Sequence, residues 1–391
     1  ALSADGTILA IGASHFDNGS KTNAGHIRTF QYDGTSYTEY ASNHEIKGGT
    51  KGEAFGKSVA LSADGKVLVA GASDYDFSSK KDVGLVRIFR LNDSNKWVQE
   101  KWVRGDTASG YVGAAVDISA DGDTVAFGGY GNTGNDKEDG RIYLYRYNSS
   151  QKKWLKHGRG IDGIADYDRR GFSISISADG TVLAAGSPQN DDAGSNKGRV
   201  DIYEIQEGGG LQPLGLPIYG EANDDQSGIA VSLSDNGNRV AIAAHLNDGG
   251  GNNSGHVRLY EFIDGSWQQQ GIDLDGTTQQ SFRNNEDTAI SLSGDGSHLA
   301  IGSPASNDSA PSVEGTVRVL KFHDSVAPSL SSIQTSIDGE QIIVKFSENL
   351  SADLPSSSQF SVAVDGTAIA ITGIKANGPT IELTLNQAIT S

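Results

Sequence analysis

The sequence predicts an all-β chain, a β-propeller of four-stranded blades followed by a small β-sandwich. Three observations carry this. A short motif, "LSADG" at 2–6 and 61–65, returns as "ISADG" at 118–122 and 176–180, "LSDNG" at 233–237 and "LSGDG" at 292–296. Its serines, Ser3, Ser62, Ser119, Ser177, Ser234 and Ser293, are spaced by 59, 57, 58, 57 and 59 residues. A second marker keeps step with it, from "GHIRTF" at Gly25 through "GLVRIF" at Gly84 to "GTVRVL" at Gly315. Two markers sharing one period are the signature of a repeat architecture.

Each unit reads as four strands. In the second copy, 58–62 alternates into a two-residue turn at Asp64-Gly65, and 67–71 returns. Asp-Gly between alternating runs is a hairpin signal, since glycine takes the positive φ that a tight turn needs. A long polar loop follows at 73–83, then a third strand at 85–91, a short turn at 92–95 and a last strand around Trp97. Trp154 and Trp267 occupy that slot in other copies, and Tyr37 in the first; packing is the expected role. Short antiparallel strands without helices, repeated in fours, are propeller blades. Six copies are visible, so six or seven blades are expected.

Phe55-Gly56 followed by Gly71-Ala72-Ser73 resembles the FG-GAP repeat of integrin α-type propellers, and Gly186-Ser187-Pro188 and Gly302-Ser303-Pro304 are similar to its second half. The resemblance covers roughly residues 1–323 and implies an integrin-like propeller. Calcium-binding members carry an Asp/Asn-rich loop where this chain has only Ser-Ala-Asp-Gly. One carboxylate cannot supply the six to eight oxygens that calcium wants. Asp5, Asp64, Asp121, Asp179 and Asp295 are therefore expected to be turn residues.

After His323 the composition turns Ser/Thr-rich, with alternation at 342–346, 360–364, 368–372 and 381–385. This predicts a β-sandwich over 324–391. The stretch "VAPSL…FSENL…FSVAVDG" resembles the repeat of the cyanobacterial swimming-motility surface protein SwmB, which implies an immunoglobulin-type spacer. The chain lacks Met and opens inside a repeat, and the second domain lacks its usual last strand. Both domains are thus expected to be cut short, one at its N-terminal and the other at its C-terminal end.

Composition narrows the function. With no Cys, there is no disulfide and no thiolate metal site. A net charge of −18 disfavours nucleic acid and anionic membranes as partners. No run approaches the ~20 apolar residues of a spanning helix. Hydrolase and dinucleotide motifs are absent. "GEAFGKS" at 52–58 lacks phosphate-loop spacing and precedes a strand. Arg104-Gly105-Asp106 reads as coincidence, because Gly105 aligns with Gly48, Gly163, Gly220 and Gly276. His26 and His256 share one slot and read as blade-surface residues.

What remains is the face built by the long second-to-third loops. They carry Asp17, Asp74, Asp76, Asp136, Asp139, Asp191, Asp192, Asp248 and Asp308, the expected binding residues. No catalytic residue, cofactor or tight metal site is expected; calcium binding by the long loops would be weak, with Kd ~0.1–1 mM. The leading expectation is a non-enzymatic, exported surface or matrix protein whose propeller serves adhesion to an extracellular protein or glycan. A glycan-binding, lectin-type propeller is the alternative. A polysaccharide-active enzyme is third, because it would need a non-repeated cluster of His, Tyr, Arg and carboxylates near the axis.

Overall fold

The computed structural model describes residues 1–132, 138–276, 289–303, 316–322, 330–336, 340–346, 362–364, 367–377 and 380–389. Every regular element among them is a β-strand. The chain divides into two compact units, Ala1–Phe322 and His323–Ser391.

The first unit holds six antiparallel sheets among the described residues, one per repeat, numbered here as blades 1 to 6. Blade 2 shows the pattern: Val59–Leu61, Val67–Ala72, Leu85–Leu91 and Trp97–Arg104 pair in chain order. In blade 3 the fourth strand is broken into Lys153–Lys156 and Ile161–Asp162, both paired with Arg141–Asn148. Blade 6 shows three described strands, Ala289–Leu292, His298–Ser303 and Thr316–Lys321. This is the propeller that the repeats predict.

No blade has a core of its own, since a sheet must cover its apolar face with something. The apolar clusters lie between blades. Ile8 and Ile27 of blade 1 meet Leu68, Phe89 and Trp97 of blade 2. Val69 and Ile88 of blade 2 meet Val125, Phe127 and Trp154 of blade 3. The tryptophans reach back one blade: Trp97 Nε1 donates to Thr29 Oγ1 (3.1 Å), Trp154 Nε1 to Glu100 Oε2 (2.8 Å) and Trp267 Nε1 to the Leu214 carbonyl (2.7 Å). The expected packing role of that slot holds, with a hydrogen bond added.

The glycine near the end of the second strand has a steric cause. A Cβ on Gly71 would sit 1.8 Å from the Gly113 carbonyl oxygen of the next blade, and one on Gly186 would sit 1.9 Å from that of Gly228. Backbones approach too closely there for any side chain.

The Asp-Gly turn differs from expectation. It is a four-residue loop rather than a two-residue one. The Ser62 N–H donates to the Val67 carbonyl (2.9 Å), enclosing Ala63 to Lys66. Only Gly65 takes positive φ (66°); Asp64 does not. A two-residue type I′ turn would need it at both. The Val67 N–H donates to Ser62 Oγ (2.9 Å), and that hydroxyl donates to Asp64 Oδ1 (2.6 Å), which also accepts the Lys66 N–H (2.9 Å). Blade 5 repeats this with Asn236 in place of Asp. The carboxylates are turn residues, as expected.

The residue after each serine ties the blades together. Ala4 N–H donates to the Ala63 carbonyl, Ala63 to Ala120, Ala120 to Ala178, Ala178 to Asp235 and Asp235 to Gly294, all at 2.8–3.0 Å. Five main-chain bonds thus link six blades on the turn face.

The second unit is a four-stranded antiparallel sheet in the order Leu330–Thr335, Gln341–Phe346, Thr380–Leu385, Ile371–Asn377, with a hairpin of Val362–Val364 and Thr367–Ile369. Ile342, Val344, Ile369, Ile381, Leu383 and Leu385 form its core, so the hairpin covers the sheet.

Ser62→Ala should cost ~1–3 kcal/mol, because it strands the buried Val67 N–H. Asp64→Asn should stay within ~0.5 kcal/mol. Gly65→Val should cost ~1 kcal/mol or more through its positive φ. Urea melts of the three variants check this; Asp64→Asn as the most damaging would refute the turn account.

Candidate ligand-binding face

The long loops and the connections between blades share one face. Asn18 Nδ2 donates to the Gly48 carbonyl (3.0 Å), the Ser109 N–H to that of Lys81 (2.7 Å) and the Asp224 N–H to that of Ser195 (2.8 Å).

The expected binding residues sit in these loops, and most have a structural task. Asp17 Oδ1 accepts the Asn23 N–H (2.8 Å), Asp76 that of Asp82 (2.9 Å), Asp191 that of Asn196 (2.6 Å) and Asp248 that of Asn253 (2.7 Å). Each N–H belongs to a residue at positive φ, between 43° and 53°. A non-glycine residue adopts that region at a cost, and the carboxylate offsets it. Lys81 bridges to Asp76 and holds its carboxyl below the usual range. Asp192 is bound by Arg199 (2.5 Å), whose other nitrogens grip Asp201. Asp74 accepts from Ser73 Oγ (2.5 Å). Asp139 is buried. Asp136 and Asp308 lie outside the described residues. The described carboxylates among them are not gathered into one cluster; they are spread over the long loops of blades 1 to 5.

Within Arg104-Gly105-Asp106, Arg104 stacks on Phe77 (3.3 Å to the ring centre) and the Gly105 N–H donates to the Gly84 carbonyl (3.0 Å). The tripeptide is part of the blade junction.

Sequence reasoning missed three buried carboxylates. Glu53 accepts the Gly49 and Thr50 N–H groups, Asp168 those of Ile164 and Ala165, and Asp225 those of Glu221 and Ala222. Each lies five residues after a repeat glycine (Gly48, Gly163, Gly220), a signal legible in the alignment of copies. They fold the connections back over the blades.

Above these connections, four residues at one repeat slot stand at positive φ: Ala54 (53°), Tyr111 (48°), Arg169 (56°) and Gln226 (53°). Their N–H groups donate to the carbonyls of Asn23, Asp82, Glu138 and Asn196 in the preceding long loops (2.9–3.2 Å). Backbone strain of this kind, ~1–3 kcal/mol per residue, clusters at functional sites.

Two of the four line a cavity of about 290 Å³ at the mouth of blades 4 and 5. Its wall is Arg169, Gln189, Gln226 and His245, and its apolar floor is Phe172, Pro188 and Ile229. Arg169 faces Glu138 (3.7 Å) and lies 5.8 Å from the Tyr130 ring centre. Tyr130 stacks on Tyr111 (4.8 Å) and leans on Phe172 (5.1 Å). This is a non-repeated gathering of His, Tyr, Arg and a carboxylate, which the sequence reading did not find. Burial pushes the His245 imidazole down to about 4, so it is neutral at pH 7, with its Nδ1 unpartnered.

The two histidines expected on the blade surface are corrected: both are buried, His256 fully and His26 nearly so, with Glu221 of the blade 4 connection beside His256 and Phe16 and Glu45 of its own blade beside His26. His26 stacks on Phe16 (3.9 Å) and contacts Glu45 (2.8 Å).

Comparison with known proteins bears on both units. Residues 306–391 match the family described as "Putative flagellar system-associated repeat". No curated protein matches the chain in sequence. Among solved structures, the periplasmic gluconolactonase PpgL of Pseudomonas aeruginosa is similar, with TM-score 0.50 and 13% identity over 87% of this chain and 89% of that one. A "putative 6-phosphogluconolactonase" of Bacteroides fragilis is similar at TM-score 0.51 and 12% identity, over 87% and 88%. At these identities the likeness shows the fold, a β-propeller. It also corrects the expectation that the chain is not an enzyme. Lack of a repeated acid–base pair excluded little, since propellers of this fold are described as lactonases and the Arg169–His245 cluster is not repeated.

His245 gives a pH test. Its folded pKa lies below the unfolded 6.5, so between about 4 and 6.5 the unfolded chain binds more protons. Stability present above 6.5 is lost as pH falls toward 4, by about 3 kcal/mol. In His245→Gln, chemical denaturation from pH 7 to 4 should show that limb flatter by about one proton. An unchanged limb would mean the imidazole is not neutral in the fold.

Proposed function

We propose that the propeller is the ligand-recognition module of an exported surface or matrix protein, and that its mouth cavity takes a polyhydroxylated ligand, the end of a glycan chain. The observation that carries this is the composition of the cavity. Two glutamine amides, a guanidinium and a neutral imidazole offer donors and acceptors for hydroxyls. Phe172, Pro188 and Ile229 give an apolar floor for the C–H face of a sugar ring. The two similar structures, a gluconolactonase and a putative 6-phosphogluconolactonase, are named for sugar-derived substrates and agree with this class. The flagellar-system-associated repeat and the acidic surface support placement outside the cell. Among the described residues no helix is long and apolar enough to cross a membrane. The second unit then serves as a spacer.

The test is calorimetry of the whole chain against a panel of neutral and acidic oligosaccharides, with product analysis of the same mixtures. Arg169→Ala and Gln226→Ala should each weaken binding tenfold or more, about 1.4 kcal/mol, with melts near wild type. Alanine tolerates this slot, since Ala54 stands at φ 53° in it. Released or ring-opened product would make the site catalytic as well as binding. If no saccharide binds, or both variants bind as wild type does, the cavity is not the site.

A further inference from the structure

A second constellation lies apart from the mouth cavity, where the connection from blade 4 reaches the outer strands of blade 5. His256 opens the strand His256–Ile263, Asp273 lies near the end of Ser266–Asp275, and Glu221 comes from the connection. One ligand atom from each falls within 4.8 Å of the other two, and among the described residues this is the group that could hold a metal ion.

The contrast with blade 1 shows that this is not an ordinary ion pair. His26 occupies the same slot, and Glu45 stands where Asp273 does, both two residues before the partner directly opposite the histidine. In blade 1 the contact is closed, His26 Nδ1 to Glu45 Oε1 at 2.8 Å, with Lys47 Nζ on the same carboxylate at 3.1 Å. In blade 5, Nδ1 stands 3.6 Å from Glu221 Oε2 and 3.8 Å from Asp273 Oδ2, too far for hydrogen bonds. The His256 side chain is fully enclosed, and neither ring nitrogen has a hydrogen-bond partner. A buried polar group left so is costly and calls for an explanation.

The carboxylates are held from outside. Gln269 Nε2 donates to Asp273 Oδ1 (2.6 Å), which leaves Oδ2 toward the histidine. Arg258, fixed on the Tyr219 carbonyl (2.7 Å), faces Glu221 Oε1 (3.8 Å) and leaves Oε2 inward. Oriented outer partners of this kind accompany metal ligands. Where blade 1 has Lys47, blade 5 has Asp275, whose Oδ1 is buried and unpartnered. Glu221 and Asp273 against the Arg258 guanidinium leave the group one negative charge in excess, and Arg318 donates to the Asp275 carbonyl beside it (3.4 Å). A tetrahedral cation with ligands near 2.1 Å sets neighbouring ligand atoms about 3.4 Å apart, within a few tenths of an ångström of the two distances from His256 Nδ1 to the carboxylates.

We propose that Glu221, His256 and Asp273 form a divalent transition-metal site, with Asp275 beside it. An imidazole with two carboxylates suits zinc or manganese better than calcium, which prefers an all-oxygen cage. The site joins the blade 4 connection to blade 5, so the cation pins that junction.

The test uses the full chain and Zn²⁺ alone, read by calorimetry, by metal content after gel filtration and by thermal melting. One Zn²⁺ per chain should bind with a rise in Tm. His256→Leu should fold, because Leu85 fills this slot in blade 2, and should bind at least tenfold more weakly and lose the Tm rise. Glu221→Gln combined with Asp273→Asn should do the same. His26→Leu should leave uptake unchanged. Equal uptake by wild type and His256→Leu, no saturable uptake by wild type, or loss of uptake in His26→Leu would overturn the site.

Discussion

The distance between neighbouring blades is the constraint on which the rest depends. A four-stranded blade has two apolar faces and cannot cover either alone. The chain solves this by bringing backbones into contact rather than side chains. The glycine of one blade's second strand touches the glycine carbonyl that opens the next, and the main-chain bonds from Ala4 to Gly294 hold the opposite face at the same spacing. With both faces pinned, the gap between blades is fixed. Leu68, Phe127, Leu183 and Ile242 then fill it in turn, and Trp97, Trp154 and Trp267 have a set depth at which the indole N–H meets an acceptor.

The same constraint shapes the candidate sites. A long loop must drop onto the next blade within a few residues, which forces left-handed backbone at Asn23, Asp82, Glu138 and Asn196 and, across the junction, at Ala54, Tyr111, Arg169 and Gln226. Aspartates at the loop bases and the buried Glu53, Asp168 and Asp225 absorb the orphaned N–H groups. Much of the acidity of this face is therefore engaged in holding the protein's own backbone. Among the buried histidines of this unit, His245 in the mouth cavity and His256 in the carboxylate cluster keep ring nitrogens without a hydrogen-bond partner.

Repetition explains what could be read from sequence. Six copies of two markers revealed the sheets, the turns, the tryptophan slot and the two faces, because each signal was seen several times. The turn's true length was hidden, since Ser62 closes it with a side-chain oxygen that no spacing rule registers. The mouth cluster was hidden for the opposite reason. Arg169, Gln226 and His245 are separated by tens of residues and differ from their counterparts in other copies. Only the ring brings them together. His256 was misjudged because its exposure is set by a connection from another blade, not by its own strand.

The slot shared by Ala54, Tyr111, Arg169 and Gln226 combines a methyl, a phenol, a guanidinium and an amide on one backbone conformation held by one hydrogen bond. The main chain at these positions is indifferent to what it carries. The rim is therefore modular at these four junctions: each contributes one exchangeable group, and the energetic cost of the conformation is paid by the scaffold whichever group is present. Positions that share no partner act nearly independently, whereas Tyr111 and Arg169 meet on the Tyr130 ring and are coupled through it. Ligand preference in such a ring could drift with the backbone untouched, by single replacements at Ala54 and by linked ones where side chains meet.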